Sequence, residues 1–208
     1  MNPEHTYPIV GVTQRAFRPT QTQYERRDGL DIRWHHFLQA VEAICLPLPN
    51  DPSIAVRHAL RFGVQALVFS GGEAIAPCDG QSPARDATEG ALLAWALHNA
   101  TPIVGVCRGM QFLLDYFGGK LRRVDGHLGV DHTMLINGVA RDVRCHHRWG
   151  AYDAPSGFEV LTRAGSVIEQ VRHVSYPITG MMWHPERRPV FDHRDVLLMR
   201  VALGLDRG

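Results

Sequence analysis

Three short stretches, Pro8–Val12, Ala66–Phe69 and Pro102–Val106, are apolar without interruption. A strand with one wet face alternates apolar and polar residues. A strand covered on both faces has no such need, so runs of this kind point to the interior of a parallel sheet. Helical patterns lie between them. Leu30, Trp34, Phe37, Leu38, Val41 and Ile44 recur at steps of three and four, which is one face of a helix. Asp86 and Glu89 read as a capping box opening a helix through Ala91–Leu97, which Thr101-Pro102 closes. Met110, Leu113, Leu114 and Phe117 form another apolar stripe, ended by Gly118-Gly119. The alternation over residues 8–119 predicts an α/β fold: a doubly wound, mostly parallel sheet flanked by helices. Farther on, Phe158–Thr162 and Val167–His173, joined around Ala164-Gly165-Ser166, predict a small antiparallel extension in the C-terminal half. Asp195–Leu203 predicts a last helix. No linker or repeat divides the chain, so 1–208 is expected to form a single domain.

Composition narrows the function classes. Lys+Arg number 22 and Asp+Glu 21, a formal charge of +1. That balance carries no electrostatic footprint for nucleic acid or an anionic membrane, and neither is expected as a partner. All the basic residues but Lys120 are arginines, and they form no cluster along the chain. No apolar run approaches the roughly 18–20 residues of a membrane span, and Met1-Asn2-Pro3-Glu4-His5 has no leader-like pattern. Cys45, Cys78, Cys107 and Cys145 are too far apart for a CxxC pair, which argues against a structural zinc or a dithiol motif. A cytoplasmic protein with free thiols is expected.

The sharpest local feature is Pro102-Ile-Val-Gly-Val-Cys107-Arg-Gly-Met-Gln111. An apolar strand runs into Gly105-x-Cys107-x-Gly109 and a helix follows at once, the arrangement of a nucleophile elbow with sulfur in place of oxygen. The glycines permit close backbone approach, and the helix N-terminus favours a thiolate. A buried cysteine on a tight turn would have the same local pattern. A thiol needs a base, and twelve histidines compete for that role. Gly180-Met-Met-Trp183-His184-Pro185-Glu186 offers the best context, an apolar strand ending in a histidine with an acid two residues later. Leu67-Val-Phe-Ser70-Gly71-Gly72 is a buried strand ending in two glycines, whose amides could help form an oxyanion hole.

In this order and spacing, the three pieces resemble the class I glutamine amidotransferase superfamily, and more narrowly its γ-glutamyl hydrolase branch. Arg85-Asp86 and the Arg108 and Met110 of the elbow carry the narrower likeness. The resemblance spans nearly the whole chain and implies a flavodoxin-like sheet. It implies that Cys107 is the nucleophile, His184 the general base and Glu186 its orienting acid, with the backbone amides of Gly72 and Arg108 as the oxyanion hole. Gly71, Gln111, His147 and His146 would line the substrate site. The string Arg144-Cys145-His146-His147-Arg148 departs from the family's Ser-x-His-His pattern at Cys145 and Arg148. The implied chemistry is hydrolysis of a γ-glutamyl amide through a thioester, with no cofactor and a small-molecule γ-glutamyl substrate as the partner.

The N-terminal part, Gly11-Val-Thr-Gln14-Arg15 and Tyr24-Glu25-Arg-Arg27-Asp28-Gly-Leu-Asp31-x-x-Trp34, resembles a short bacterial subgroup associated with surface-polysaccharide modification. That subgroup includes hydrolysis of γ-glutamyl-CDP-amidate to glutamate and cytidine diphosphoramidate. Arg15 and Arg27 would then suit a diphosphate; an exposed helix start is the plainer reading of Arg27. Two readings of the same chemistry remain: a γ-glutamyl-amine hydrolase (γ-glutamyl-GABA type) and a glutaminase subunit delivering ammonia to a separate synthetase. A different class is a metal-binding module on His127, His132, His146 and His147. The adjacency of the last two, which sends them to opposite faces of a strand, argues against it.

Overall fold

The computed structural model describes residues 7–17, 24–188 and 190–206. Residues 1–5, where no leader pattern is expected, lie outside them. In chain order the elements are β1 (Ile9–Thr13), β2 (Arg15–Phe17), β3 (Arg27–Gly29), α1 (Arg33–Ala40), β4 (Ile44–Leu48), α2 (Pro52–Arg61), β5 (Ala66–Phe69), α3 (Pro83–Asn99), β6 (Ile103–Val106) and α4 (Arg108–Tyr116). They continue as β7 (Arg122–Arg123), β8 (Leu128–Ile136), β9 (Val139–His146), β10 (Trp149–Gly150), β11 (Phe158–Ala164), β12 (Val167–His173), β13 (Ile178–Met181) and α5 (His193–Ala202). A seven-stranded sheet runs in the order β11-β12-β13-β6-β5-β1-β4. Its five strands from β13 to β4 pair in parallel, and β11 and β12 add the antiparallel edge. Among the described residues no helix is long and apolar enough to cross a membrane.

The uninterrupted apolar runs are explained by the two faces they serve. Ala66 and Val68 of β5, with Val104 and Val106 of β6, join Val10, Val12, Trp34, Phe37 and Met199 in one core. Leu67, Phe69 and Ile103 point the other way, to a core with Leu92, Leu93, Phe112 and Leu113. With a side-chain period of two and helices on both faces, every residue of the run must be apolar.

Several expectations are corrected. Ile44 belongs to β4 and not to the first helix. Helix α1 ends at Ala40, where Glu42 takes a left-handed φ of 63° and the Ala43 N–H reaches back to the Leu38 carbonyl at 2.8 Å. Such a reverse turn normally advertises itself with glycine, and here a glutamate conceals it. Asp86 and Glu89 are no capping box either. Helix α3 starts at Pro83 behind Ser82, which makes no side-chain cap, and both acids lie inside it. Helix α2, capped by the Asp51 side chain accepting from the Ile54 N–H at 2.9 Å, and the β8–β9 hairpin are additional elements.

Candidate active site

Cys107 sits at the junction of β6 and α4 with φ 53° and ψ −105°, a conformation that costs a side chain-bearing residue about 1–3 kcal/mol. Its neighbours over-determine it. The Cys107 N–H donates to the Met181 carbonyl at 2.7 Å, and its carbonyl accepts from the Gln111 N–H at 3.0 Å. A Cβ at Gly105 would lie 2.7 Å from the backbone of Gly109 and Met110, and one at Gly109 would overlap the Phe69 carbonyl. The glycines of the motif are therefore contact points between β5, β6 and α4. Beneath the elbow the Arg108 side chain, buried, pairs with Glu89 and Asp86. Glu89 is also bonded by Arg85 Nε at 3.1 Å and Thr13 Oγ1 at 2.8 Å.

His184 leaves the end of β13 after Met182 and Trp183, and Pro185 starts a single 3₁₀ turn, Pro185–Arg187, that folds Glu186 back. His184 Nδ1 and Glu186 Oε1 are 2.7 Å apart, both residues buried. Nε2 is left for the sulfur of Cys107, with which His184 shares a hydrogen bond. Burial by itself pushes the Cys107 thiol up. The His184 charge and hydrogen bond, with the charges of His147 and Arg187, outweigh it and hold the thiol below its ordinary value. Burial pulls His184 down, but the Cys107 charge and hydrogen bond and the Glu186 carboxylate raise it to about 9. Each group thus favours the charged form of the other. Elsewhere burial pushes Cys45 and Cys78 up to about 12, and burial with Glu169 pushes Cys145 up as well.

The glycine loop after β5 is pinned from below by Arg85. This fully buried guanidinium donates from Nη2 to the Ser70 carbonyl at 2.6 Å and from Nη1 to the Gly71 carbonyl at 3.3 Å. Gly71 passes directly under His184, where a Cβ would overlap the ring. Gly72 has φ 147°, and a Cβ there would lie 2.7 Å from Arg85 Nη1 and 2.9 Å from Arg15 Cγ.

Two cavities flank Cys107 and His184. One, of about 360 Å³, is lined by Gly72, Cys107, Arg108, Gln111, His147 and Trp149 among others. The other, of about 610 Å³, is lined by Trp183 and His184 together with Arg33, Arg144, Arg187 and Arg188. His146 lies on the rim of both. Among the residues expected from sequence, Gln111 donates from Nε2 to the Trp149 carbonyl at 2.8 Å, so its amide nitrogen is committed. His147 turns inward between the Trp149 carbonyl at 3.0 Å and Glu169 Oε1 at 3.1 Å. Arg15 stands beside the glycine loop, 3.5 Å from Glu73, and Arg27 is paired with Glu25 on an exposed hairpin strand. Neither Arg15 nor Arg27 lines either cavity. The arginines that sequence order leaves scattered are gathered here, four of them from α1, β9 and the turn after His184. The one local signal is the Arg187-Arg188 pair immediately after Glu186.

The group able to hold a metal differs from the histidine set considered from sequence. His127, Cys145, His147 and Glu169, all buried, bring their ligand atoms within 4.8 Å of one another. His132 stacks on His127, and His146 faces out. The four gather around the Glu169 carboxylate, with the His127 Nδ1 left without a hydrogen bond of good geometry among the described residues. His147 Nε2 and His127 Nδ1 each lie 3.1 Å from Oε1, and the Cys145 thiol lies 3.6 Å from Oε2.

An open α/β sheet with a strained cysteine at a strand-to-helix elbow, hydrogen-bonded to a histidine that a glutamate orients, defines the class of glutamine amidotransferase-type hydrolases. The Glutamine amidotransferase class-I family profile matches residues 40–198, and the chain belongs to that family. A γ-glutamyl-CDP-amidate hydrolase from Campylobacter jejuni is 24% identical over 193 residues, spanning 91% of this chain and 95% of that one. One subunit of the glutamine-hydrolyzing GMP synthase from Methanothrix thermoacetophila is 34% identical over 97 residues, which are 41% of this chain and 52% of that one. The solved structure of a GMP synthase-like subunit from Thermoplasma acidophilum superposes with a TM-score of 0.70 at 19% identity, covering 97% of this chain and 94% of that one.

Proposed function

We propose that the protein is a cysteine hydrolase that cleaves a γ-glutamyl amide through a γ-glutamyl thioester and releases L-glutamate. The observation that carries this reading is the buried relay from Cys107 through His184 to Glu186. The Cys107 thiolate attacks the γ-carbonyl, and the oxygen takes up negative charge against the amides of Gly72 and Arg108, both of which line the smaller cavity. The tetrahedral intermediate collapses as the His184 imidazolium gives its proton to the departing nitrogen. The now neutral His184 takes a proton from water, which attacks the thioester; glutamate leaves and the thiolate–imidazolium pair is restored. Glu186 keeps the imidazole in one tautomer throughout.

For the natural substrate, the full-length match to the C. jejuni relative supports γ-glutamyl-CDP-amidate, cleaved to glutamate and cytidine diphosphoramidate in surface-polysaccharide modification. The four unpaired cysteines suit a reducing cytoplasm. Glutamate release from glutamine, from γ-glutamyl amines such as γ-glutamyl-GABA, and from γ-glutamyl-CDP-amidate tests both levels. The highest kcat/KM is expected for the nucleotide amidate. The half-length match to the M. thermoacetophila GMP synthase favours one other reading, a glutaminase subunit. Glutamine hydrolysis that rises sharply on adding a synthetase would establish that reading instead.

A further inference from the structure

The larger cavity has a direction. His184 lines it, and His184 is the group that must protonate the departing nitrogen, whereas the oxyanion amides line the smaller cavity. A group bonded to the scissile nitrogen would then lie on the His184 side, toward the larger cleft. Its walls are strongly cationic. Arg144 projects from β9 on the same outward face as Asp142 and His146, because side chains two apart share a face. Arg33 opens α1, and Arg187 and Arg188 follow Glu186. Two carboxylates, Asp131 and Asp142, line the cleft against these four arginines, so cations remain in excess. Asp131 is 3.5 Å from Arg144, and Asp142 Oδ1 accepts from Thr133 Oγ1 at 2.6 Å. Arg33 is steadied by Asp31 at 2.6 Å and Arg188 by the Asp142 carbonyl at 2.8 Å. Arg187 touches Glu186 only through Nε, at 3.5 Å, and its terminal amino groups make no hydrogen bond to the described residues.

We propose that this cleft is the leaving-group subsite and that Arg33, Arg144, Arg187 and Arg188 bind the phosphates of a nucleoside diphosphate joined to the scissile nitrogen. The inference rests on the hydrolase reading and names what that site accepts. Among the described residues Arg33, Arg144 and Arg187 each have one carboxylate nearby and Arg188 has none. The four guanidiniums therefore keep donors to spare that a neutral amine would leave unused and a polyamine would face as like charge. One carboxylate would engage a single fork, whereas two phosphates present enough oxygens for several. A cleft of about 610 Å³ lies within the range that accommodates small-molecule ligands.

Calorimetric binding of CDP, inorganic pyrophosphate and 4-aminobutyrate to the full chain tests this, alongside glutamate release from a γ-glutamyl anilide. CDP and pyrophosphate are expected to bind, with affinity falling steeply as salt rises, and 4-aminobutyrate to bind far more weakly. Arg144 is exposed and its substitution is structurally mild. Arg144→Gln combined with Arg188→Gln is expected to weaken CDP and pyrophosphate by about tenfold or more, with Arg144→Glu weakening them further than Arg144→Gln. Affinity unchanged in the double variant, or 4-aminobutyrate binding as tightly as CDP, overturns the subsite. Anilide hydrolysis without CDP binding removes the subsite and leaves the hydrolase. Arginine-dependent CDP binding with no glutamate released from any γ-glutamyl amide removes the hydrolase and leaves the anion site.

Discussion

Gly71 lies directly beneath the imidazole of His184, so close that a Cβ on the glycine would overlap ring carbon Cε1. The glycine loop after β5 thereby sets the height of the ring above the sheet, and Arg85 sets the height of the loop by holding the Gly71 carbonyl. Gly71→Ala should displace His184 from Cys107 and lower kcat by about 100-fold, the scale of an ångström-sized misplacement. Glutamate release beside a thermal melt separates this from unfolding. Full activity in a folded variant would show that the ring is not placed from below.

Cys107 is the thiol primed to react. Iodoacetamide at pH 7, followed by peptide mass spectrometry, should label Cys107 and spare Cys45, Cys78 and Cys145, whose thiols are all pushed up. Cys107→Ser should abolish turnover by several orders of magnitude while the protein stays folded. Preferential labelling of another cysteine would contradict the electrostatics of the elbow.

Opposite protonation requirements predict a bell-shaped dependence of kcat/KM on pH. The acid limb should lie below the ordinary thiol range, because Cys107 is held down, and the alkaline limb near 9, where His184 loses the proton it must donate. Glu186→Gln removes the charge that helps raise His184, so the alkaline limb should move to lower pH while kcat falls by roughly 100- to 10,000-fold. An alkaline limb that stays in place would mean that Glu186 does not act on the ring. His184 also links pH to stability. Its folded value, about 9, exceeds its ordinary 6.5. Its contribution is therefore full below about 6.5 and is lost as pH rises through about 9.

Glu89 holds the elbow from beneath, being the buried partner of both Arg85 and Arg108. Glu89→Gln leaves two buried guanidiniums short of a counter-charge and should cost about 3–5 kcal/mol in denaturant unfolding. A loss below about 1 kcal/mol would show that Asp86 and Glu73 suffice to compensate them.

How much is legible follows from how local each signal is. The β5–Gly-Gly turn, the Gly-x-Cys-x-Gly elbow and the His-Pro-Glu turn can be read because each needs only its own neighbours to define its backbone. Periodicity places Ile44 in the wrong element because the αL residue ending α1 is a glutamate, and the apolar spacing carries on past it. Asp86 and Glu89 mimic a capping box because the same acids, spaced one helical turn apart, serve Arg108 from across the elbow. The spacing is visible in the chain and the partner is not.

The order of apolar runs and turns within this sequence was sufficient to determine the α/β class, the strained cysteine and the residues that could serve it. Backbone conformation and burial on two faces are written in consecutive residues. Which arginines meet was decided only in three dimensions. Arg15 and Arg27 suit a phosphate by their place in the chain, yet the cleft beside His184 is walled by Arg33, Arg144, Arg187 and Arg188. An electrostatic site depends on distances between side chains brought from α1, β9 and the turn after β13, and those distances exist only once the sheet has set the three segments side by side.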